Sequence, residues 1–287
     1  MSVRIALTAI CTVLPVLVLL RYFYAQDVFR EPRGPRVRTF LLGFLVTIPA
    51  IPIELVLGVV PSRALGPIGS AFYIAFVMAA IPEESLKLWV IGRYCARRPT
   101  FDEPMDGIVY GATAALGFAA FENALYVAEG GLWTAVARSL TAVPMHAVMG
   151  AILGYYMARS RFGGRRGDVW KGWGIAVIVH GLYDLGPIAL ASLLAWQGNR
   201  IPVGLVYTPC LILFFGVIGV STTRVARLVR RLHSGQLEAQ ARARAAALRE
   251  SAGTAGEARS MEPSRLGVEP DSSAETPGRQ PVPREPE

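Results

Sequence analysis

The 287-residue chain is 53% hydrophobic and only 17% charged, with a formal net charge of +8 and a mean hydropathy of +0.41. A soluble domain of this length carries a larger charged share, which excludes a water-soluble protein. The Arg residues sit mainly in short loops between apolar runs, so the positive charge reads as a topology signal and excludes a nucleic-acid-binding surface.

Apolar runs of roughly 20 residues are long enough to cross a hydrocarbon core ~30 Å thick. In chain order they predict spans at about Val3–Tyr24, Thr39–Val60, Ile68–Ile91, Asp106–Ala128, Leu132–Ala158, Gly172–Ala195 and Ile201–Ser221. The first is read as a retained span, because it lacks a basic leader beyond Arg4 and a small-residue cleavage site before Arg21. Alternate loops are Arg-rich: Arg21, Arg30, Arg33, Arg36 and Arg38; then Arg93, Arg97 and Arg98; then Arg159, Arg161, Arg165, Arg166 and Lys171; then Arg224, Arg227, Arg230 and Arg231. The intervening loops hold little more than Arg63 and Arg200. Basic residues mark the cytoplasmic side, so the expectation is an all-α, polytopic membrane helix bundle of about seven transmembrane helices, N-terminus outside and C-terminus inside.

Cys11, Cys95 and Cys210 are far apart and form no C-x-x-C pair, so neither a disulfide framework nor a zinc ribbon is expected. The organisation expected is a transmembrane domain over 1–222, a basic amphipathic helix on the inner leaflet over 223–250, and a disordered tail rich in Pro, Gly, Ser, Glu and Arg over 251–287. The expected location is the cell membrane, multi-pass, with membrane lipids as surroundings and no nucleic acid as partner.

An ionisable group in a bilayer costs at least ~2.5 kcal/mol, so each one needs a partner or a task. The third span carries Pro82-Glu83-Glu84-Ser85-Leu86-Lys87, the fourth Phe118 and Glu122-Asn123, the fifth His146, and the sixth His180 with Asp184 one turn on. Taken singly each has a structural account: Glu83 pairs with Lys87 at i,i+4, His180 with Asp184 at i,i+4, and Glu122-Asn123 acts as interhelical polar glue. Counted at ~1.5 Å per residue from the expected cytoplasmic ends, however, Glu83 and His180 lie near ~15 Å, His146 and Asp184 near ~20 Å, and Glu122 at about 18 to 24 Å. Their convergence in one layer argues for a site. Glu54 and Arg138 are set apart from it, near the outer interface, where snorkelling eases burial.

Glu83-Glu84-x-x-Lys87, Phe118-x-x-x-Glu122, His146 and His180-x-x-x-Asp184, in order on four consecutive spans, resemble the PrsW family of intramembrane proteases, within the superfamily that includes the CAAX prenyl endopeptidases. The resemblance covers about Thr39 to Ala195. It implies a protease acting on single-span membrane proteins such as anti-sigma factors, with Glu83, Glu84, Glu122, His146, His180 and Asp184 as site residues. Two schemes stay open. In one, Glu83 activates water while His146 and His180 stabilise the oxyanion. In the other, His146 and His180 with Glu122, or with Asp184, form a His₂-carboxylate zinc site. The rival expectation is a proton-coupled transporter or channel, since buried Glu, His and Asp also build proton relays.

Overall fold

The computed structural model describes residues 2–60, 62–197 and 203–260, which form nine α-helices and no strand among the described residues. They are α1 (Ser2–Gln26), α2 (Arg33–Leu45), α3 (Thr47–Gly58), α4 (Gly66–Phe72), α5 (Ile81–Arg93), α6 (Pro104–Leu140), α7 (Ala142–Gly163), α8 (Gly167–Gln197) and α9 (Val203–Ser260). Among the described residues, five stretches are long and apolar enough to cross a membrane: Val3–Gln26, Arg33–Gly58, Pro104–Gly163, Gly167–Trp196 and Tyr207–Ala252. The expected third span is built differently, from α4, a π-helical segment Tyr73–Ala80 and α5.

Two further departures matter for the site. The expected fifth span, Leu132–Ala158, is not one helix. Gly131 takes φ 68°, which kinks α6, and Thr141 separates the end of α6 from α7. A glycine is the residue that adopts this backbone conformation without a steric penalty. The chain also divides into two units, Met1–Glu238 and Ala239–Glu287. Helix α9 reaches Ser260, so the first part of the segment expected to be disordered is helical; residues 261–287 lie outside the described residues.

Helix α6 is the hub, buried almost continuously from Met105 to Ala119. Gly107 and Gly111 on α6 face Gly154 and Gly150 on α7. A Cβ built on Gly111 would fall 2.1 Å from the Gly150 carbonyl oxygen, and one on Gly154 would fall 1.7 Å from that of Gly107. These are paired G-x-x-x-G motifs, which let backbones approach where lipid offers no hydrophobic drive for helix association. Gly43 of α2 meets Ala114 of α6 in the same way.

The π segment has a local cause. Pro82 at the start of α5 has no N–H and its ring crowds the preceding turn, and Ile81 N–H bonds back to Phe76 O, five residues earlier. Phe76 in turn lies against Gly181 of α8, where a Cβ would meet its ring at 2.4 Å. The widened turn thus brings the Glu83 turn beside the His180 turn.

At the Arg-rich end, Gln236 of α9 ties the α1–α2 loop to the start of α6. Its Nε2 donates to Asp27 Oδ1 at 3.0 Å and to Glu103, and its Oε1 accepts from Val28 N–H at 3.1 Å. Burial pushes the Glu103 carboxyl up to about 7, against the Gln236 hydrogen bond and with Asp27, Asp102 and Glu31 adding to the rise.

Packing and charge each generate a prediction. Gly111→Leu should abolish a monodisperse fold, since overpacking a fixed backbone contact costs about 3 kcal/mol or more. Gly219→Ala, whose Cβ meets open space, should leave the elution profile and melting temperature unchanged. An acid whose folded pKa is raised stabilises fully below its unfolded value, near ~4.3, and loses that contribution as pH rises through the folded one. The melting temperature should therefore fall as pH rises through about 7, and Glu103→Gln should flatten that fall.

Candidate active site

Helical spacing places Glu83 and Glu84 on Lys87 at i,i+4 and i,i+3. Lys87 Nζ lies 3.1 Å from Glu83 Oε2, 2.7 Å from Glu84 Oε1 and 2.9 Å from His146 Nδ1. An ammonium has three N–H donors, and these three acceptors use them all. The charge also sits 4.3 Å above the Phe118 ring. Lys87 and Glu84 are fully buried, and Glu83, His146 and His180 nearly so.

With Nδ1 accepting from Lys87, His146 carries its proton on Nε2, which lies 2.7 Å from Glu122 Oε2. Glu122 is held from its other side by Arg138 at 3.0 Å, and Arg138 Nε donates to Asn123 Oδ1 at 3.0 Å while its guanidinium lies 4.0 Å over the Tyr126 ring. Across the site His180 Nδ1 is 2.8 Å from Glu84 Oε1, and its Nε2 is 3.2 Å from Asp184 Oδ2. The two imidazoles meet edge to face with centroids 5.8 Å apart. One polar chain therefore runs Asp184–His180–Glu84–Lys87–His146–Glu122–Arg138 through four helices.

A cavity of about 140 Å³ opens beside this chain. Glu83, Glu122, His146, His180 and Asp184 line it; Glu84 and Lys87 stand behind them and are not among its lining residues. Glu54 and Arg138 line it too, so setting them apart at the outer interface is corrected. For Arg138 the cause is the Gly131 kink, which returns the end of α6 alongside its own earlier turns; the Gly130-Gly131 pair was the signal available in the sequence. For Glu54, α3 delivers the carboxylate inward, and no local motif announces it.

Five carboxylates, from Glu54, Glu83, Glu84, Glu122 and Asp184, thus share the site with two fixed cations, Lys87 and Arg138. Within this site, among the described residues, two groups have metal-ligand geometry, with donor atoms within 4.8 Å of one another: Glu83, Glu122 and His146, and Glu83, Glu84 and His180. The expected set of His146, His180 and Glu122 is neither of these, because the two imidazoles face opposite carboxylates. The first group lines the cavity throughout. Glu122 Oε2 is buried and makes no well-directed hydrogen bond despite its short contact with His146, which leaves a lone pair for a cation. One imidazole and two carboxylates are a donor set that suits a divalent ion.

Residues 31–218, which include every residue of this polar chain, match the model of the PrsW family, described as intramembrane metalloproteases. The chain belongs to the PrsW family. It is 39% identical over 175 residues to the protease PrsW of Geobacillus kaustophilus, covering 60% of this chain and 76% of that protein. It is 36% identical over 182 residues to the protease PrsW of Bacillus subtilis, covering 62% and 81%, and 26% identical over 181 residues to that of Clostridioides difficile, covering 60% and 75%. No solved structure matches the chain. The family is one of membrane proteases, so this PrsW-family chain is a membrane protein with protease relatives, and the shared segment leaves out α1 and most of α9.

Removing the central cation should be the most damaging change to stability. Lys87→Met leaves Glu83 and Glu84 buried without their counter-charge, a loss of about 3–5 kcal/mol for a broken buried pair. Melting of the purified variants in one detergent checks this: Lys87→Met should melt well below the parent, and adding Glu83→Gln and Glu84→Gln should recover part of the loss.

Proposed function

We propose that this PrsW-family chain is an intramembrane endopeptidase that hydrolyses peptide bonds of single-span membrane proteins, with anti-sigma-factor-like proteins as the substrate class. It sits in the cell membrane, multi-pass, with about seven spans, N-terminus outside and the Arg-rich loops in the cytoplasm. Residues 1–222 form the catalytic bundle and 223–250 lie on the inner leaflet. The observation that carries the reading is Glu83: it spends Oε2 on Lys87 and lines a cavity shared with both imidazoles.

In this scheme a water in the cavity attacks the scissile carbonyl while Glu83 takes its proton. His180 is held by Glu84 on Nδ1 and Asp184 on Nε2, at the cavity wall, so that its Nε2–H is shared between Asp184 and the developing oxyanion. Glu83 then returns the proton to the leaving amine. Glu122 and Arg138 fix His146 in its tautomer, and Lys87 fixes Glu83. Glu122, His146 and one oxygen of Glu83 are the residues that would hold a divalent metal such as zinc, with His146 giving up its Nε2 proton to offer that nitrogen. When bound it supplies Lewis acidity to the carbonyl oxygen and the nucleophile.

Reconstitution in liposomes with a panel of single-span substrates tests the scheme. Product peptides should appear with the parent, and Glu83→Gln should lower their rate by about 10²–10⁴-fold while the protein stays folded. His180→Ala should be comparably damaging, because groups acting as one unit are not additive. Proton or solute flux that depends on Glu83 and His180, with no cleavage of any substrate, would replace the protease with a transporter.

A further inference from the structure

A second cavity lies outside the polar layer. Helices α7, α8 and α9 border an open cleft of about 620 Å³, walled by Ile175, Val179 and Leu182 of α8 and by Leu213 and Val217 of α9. Tyr155, Tyr156 and Arg224 line it toward the Arg-rich end of the bundle, where Val225 and Leu228 of α9 continue the apolar wall. Lys171 Nζ stands 5.9 Å and Arg159 5.4 Å from the Tyr156 ring. Asp168 holds Arg159 at 3.1 Å, whereas Lys171 and Arg224 are exposed and make no ion pair among the described residues.

We propose that this cleft binds one acidic phospholipid, its acyl chain laid along α8 and α9 and its phosphate at Lys171 and Arg224. The inference rests on the chain being embedded in a bilayer and is independent of its chemistry. Charge complementarity selects the headgroup: two cations without an ion-pair partner among the described residues, Arg224 in the lining and Lys171 beside Tyr156, stand at the Arg-rich end of the cleft, and basic residues near a membrane surface attract anionic lipid. Size selects the chain. A cavity in the ~300–1,000 Å³ range encloses a flexible small molecule, while a helix needs a channel at least ~10 Å across along its length.

A substrate helix is further disfavoured by what stands between the two cavities. Helix α8 is the partition: Ile175, Val179 and Leu182 face the cleft, and His180, Tyr183 and Asp184 face the catalytic cavity. An occupant of the cleft touches the back of α8 and cannot reach His180 from that side. It braces the helix that carries His180.

Gly216 offers a direct test, since it lines the cleft and a Cβ there meets nothing within 4 Å. The full-length protein is stripped of lipid in detergent and offered phosphatidylglycerol or phosphatidylcholine, and retained lipid is counted by native mass spectrometry. The parent should retain one phosphatidylglycerol, preferred over phosphatidylcholine by about tenfold. Gly216→Phe fills the cleft without lowering helix propensity and should lose that lipid at unchanged monodispersity. Lys171→Gln with Arg224→Gln, two exposed changes that do not threaten folding, should keep a lipid but lose the headgroup preference. A parent that retains no lipid, equal retention by Gly216→Phe, or an unchanged preference in the double variant would each overturn the proposal. So would slower substrate cleavage by Gly216→Phe with lipid retention intact, which would assign the cleft to the substrate.

Discussion

The Lys87 ammonium, buried in the apolar layer of a membrane protein, has three N–H groups and no water to satisfy them. Leaving one unmade forfeits the full desolvation penalty, so Glu83, Glu84 and His146 must all come within hydrogen-bond reach of one point. That requirement propagates. Holding His146 by Nδ1 leaves Nε2 for Glu122, and holding Glu84 by the same cation leaves Oε1 to share with His180. Each partner is thereby fixed in rotamer and, for His146, in tautomer. Such preorganisation is what a low-dielectric site needs, because its dipoles then meet developing charge without reorganising.

The backbone serves this network by letting helices come unusually close. The G-x-x-x-G contacts between α6 and α7 set the relative height at which Glu122 faces His146. The π segment before Pro82 does the same for α5 and α8, with Phe76 seated on Gly181 one residue from His180. These are van der Waals contacts between surfaces without flexible side chains, so they transmit position with little slack. Polar residues alone would not hold the register: a carboxylate can follow a shifted partner by changing rotamer, whereas two backbones in contact cannot.

The network also carries more negative charge than its two fixed cations balance. Glu83, Glu122 and Asp184 line the cavity together with Glu54, while Lys87 and Arg138 supply the compensating charge. This surplus is unfavourable for stability, and it provides a place where a divalent ion fits. The fold tolerates it because α6 and α7 bury so many small apolar residues around it.

Much of this was legible in the chain before any coordinates. Apolar runs longer than soluble helices use, and the high burial cost of Glu83, Lys87, Glu122, His146, His180 and Asp184, identify a membrane helix protein and the layer that matters. The pairs within one helix, Glu83 with Lys87 and His180 with Asp184, follow from the 3.6-residue period alone and are found at 3.1 and 3.2 Å. Contacts between helices, and across the kink within α6, were not legible: Lys87 with His146, Glu84 with His180, Glu122 with Arg138, and the entry of Glu54 into the cavity. Each depends on the rotation and height of one helix against another, and those are decided by glycine contacts, a π turn and the Gly131 kink. A one-dimensional pattern states which residues cannot be left unpaired in lipid; only the packing of separate helices decides with whom they pair.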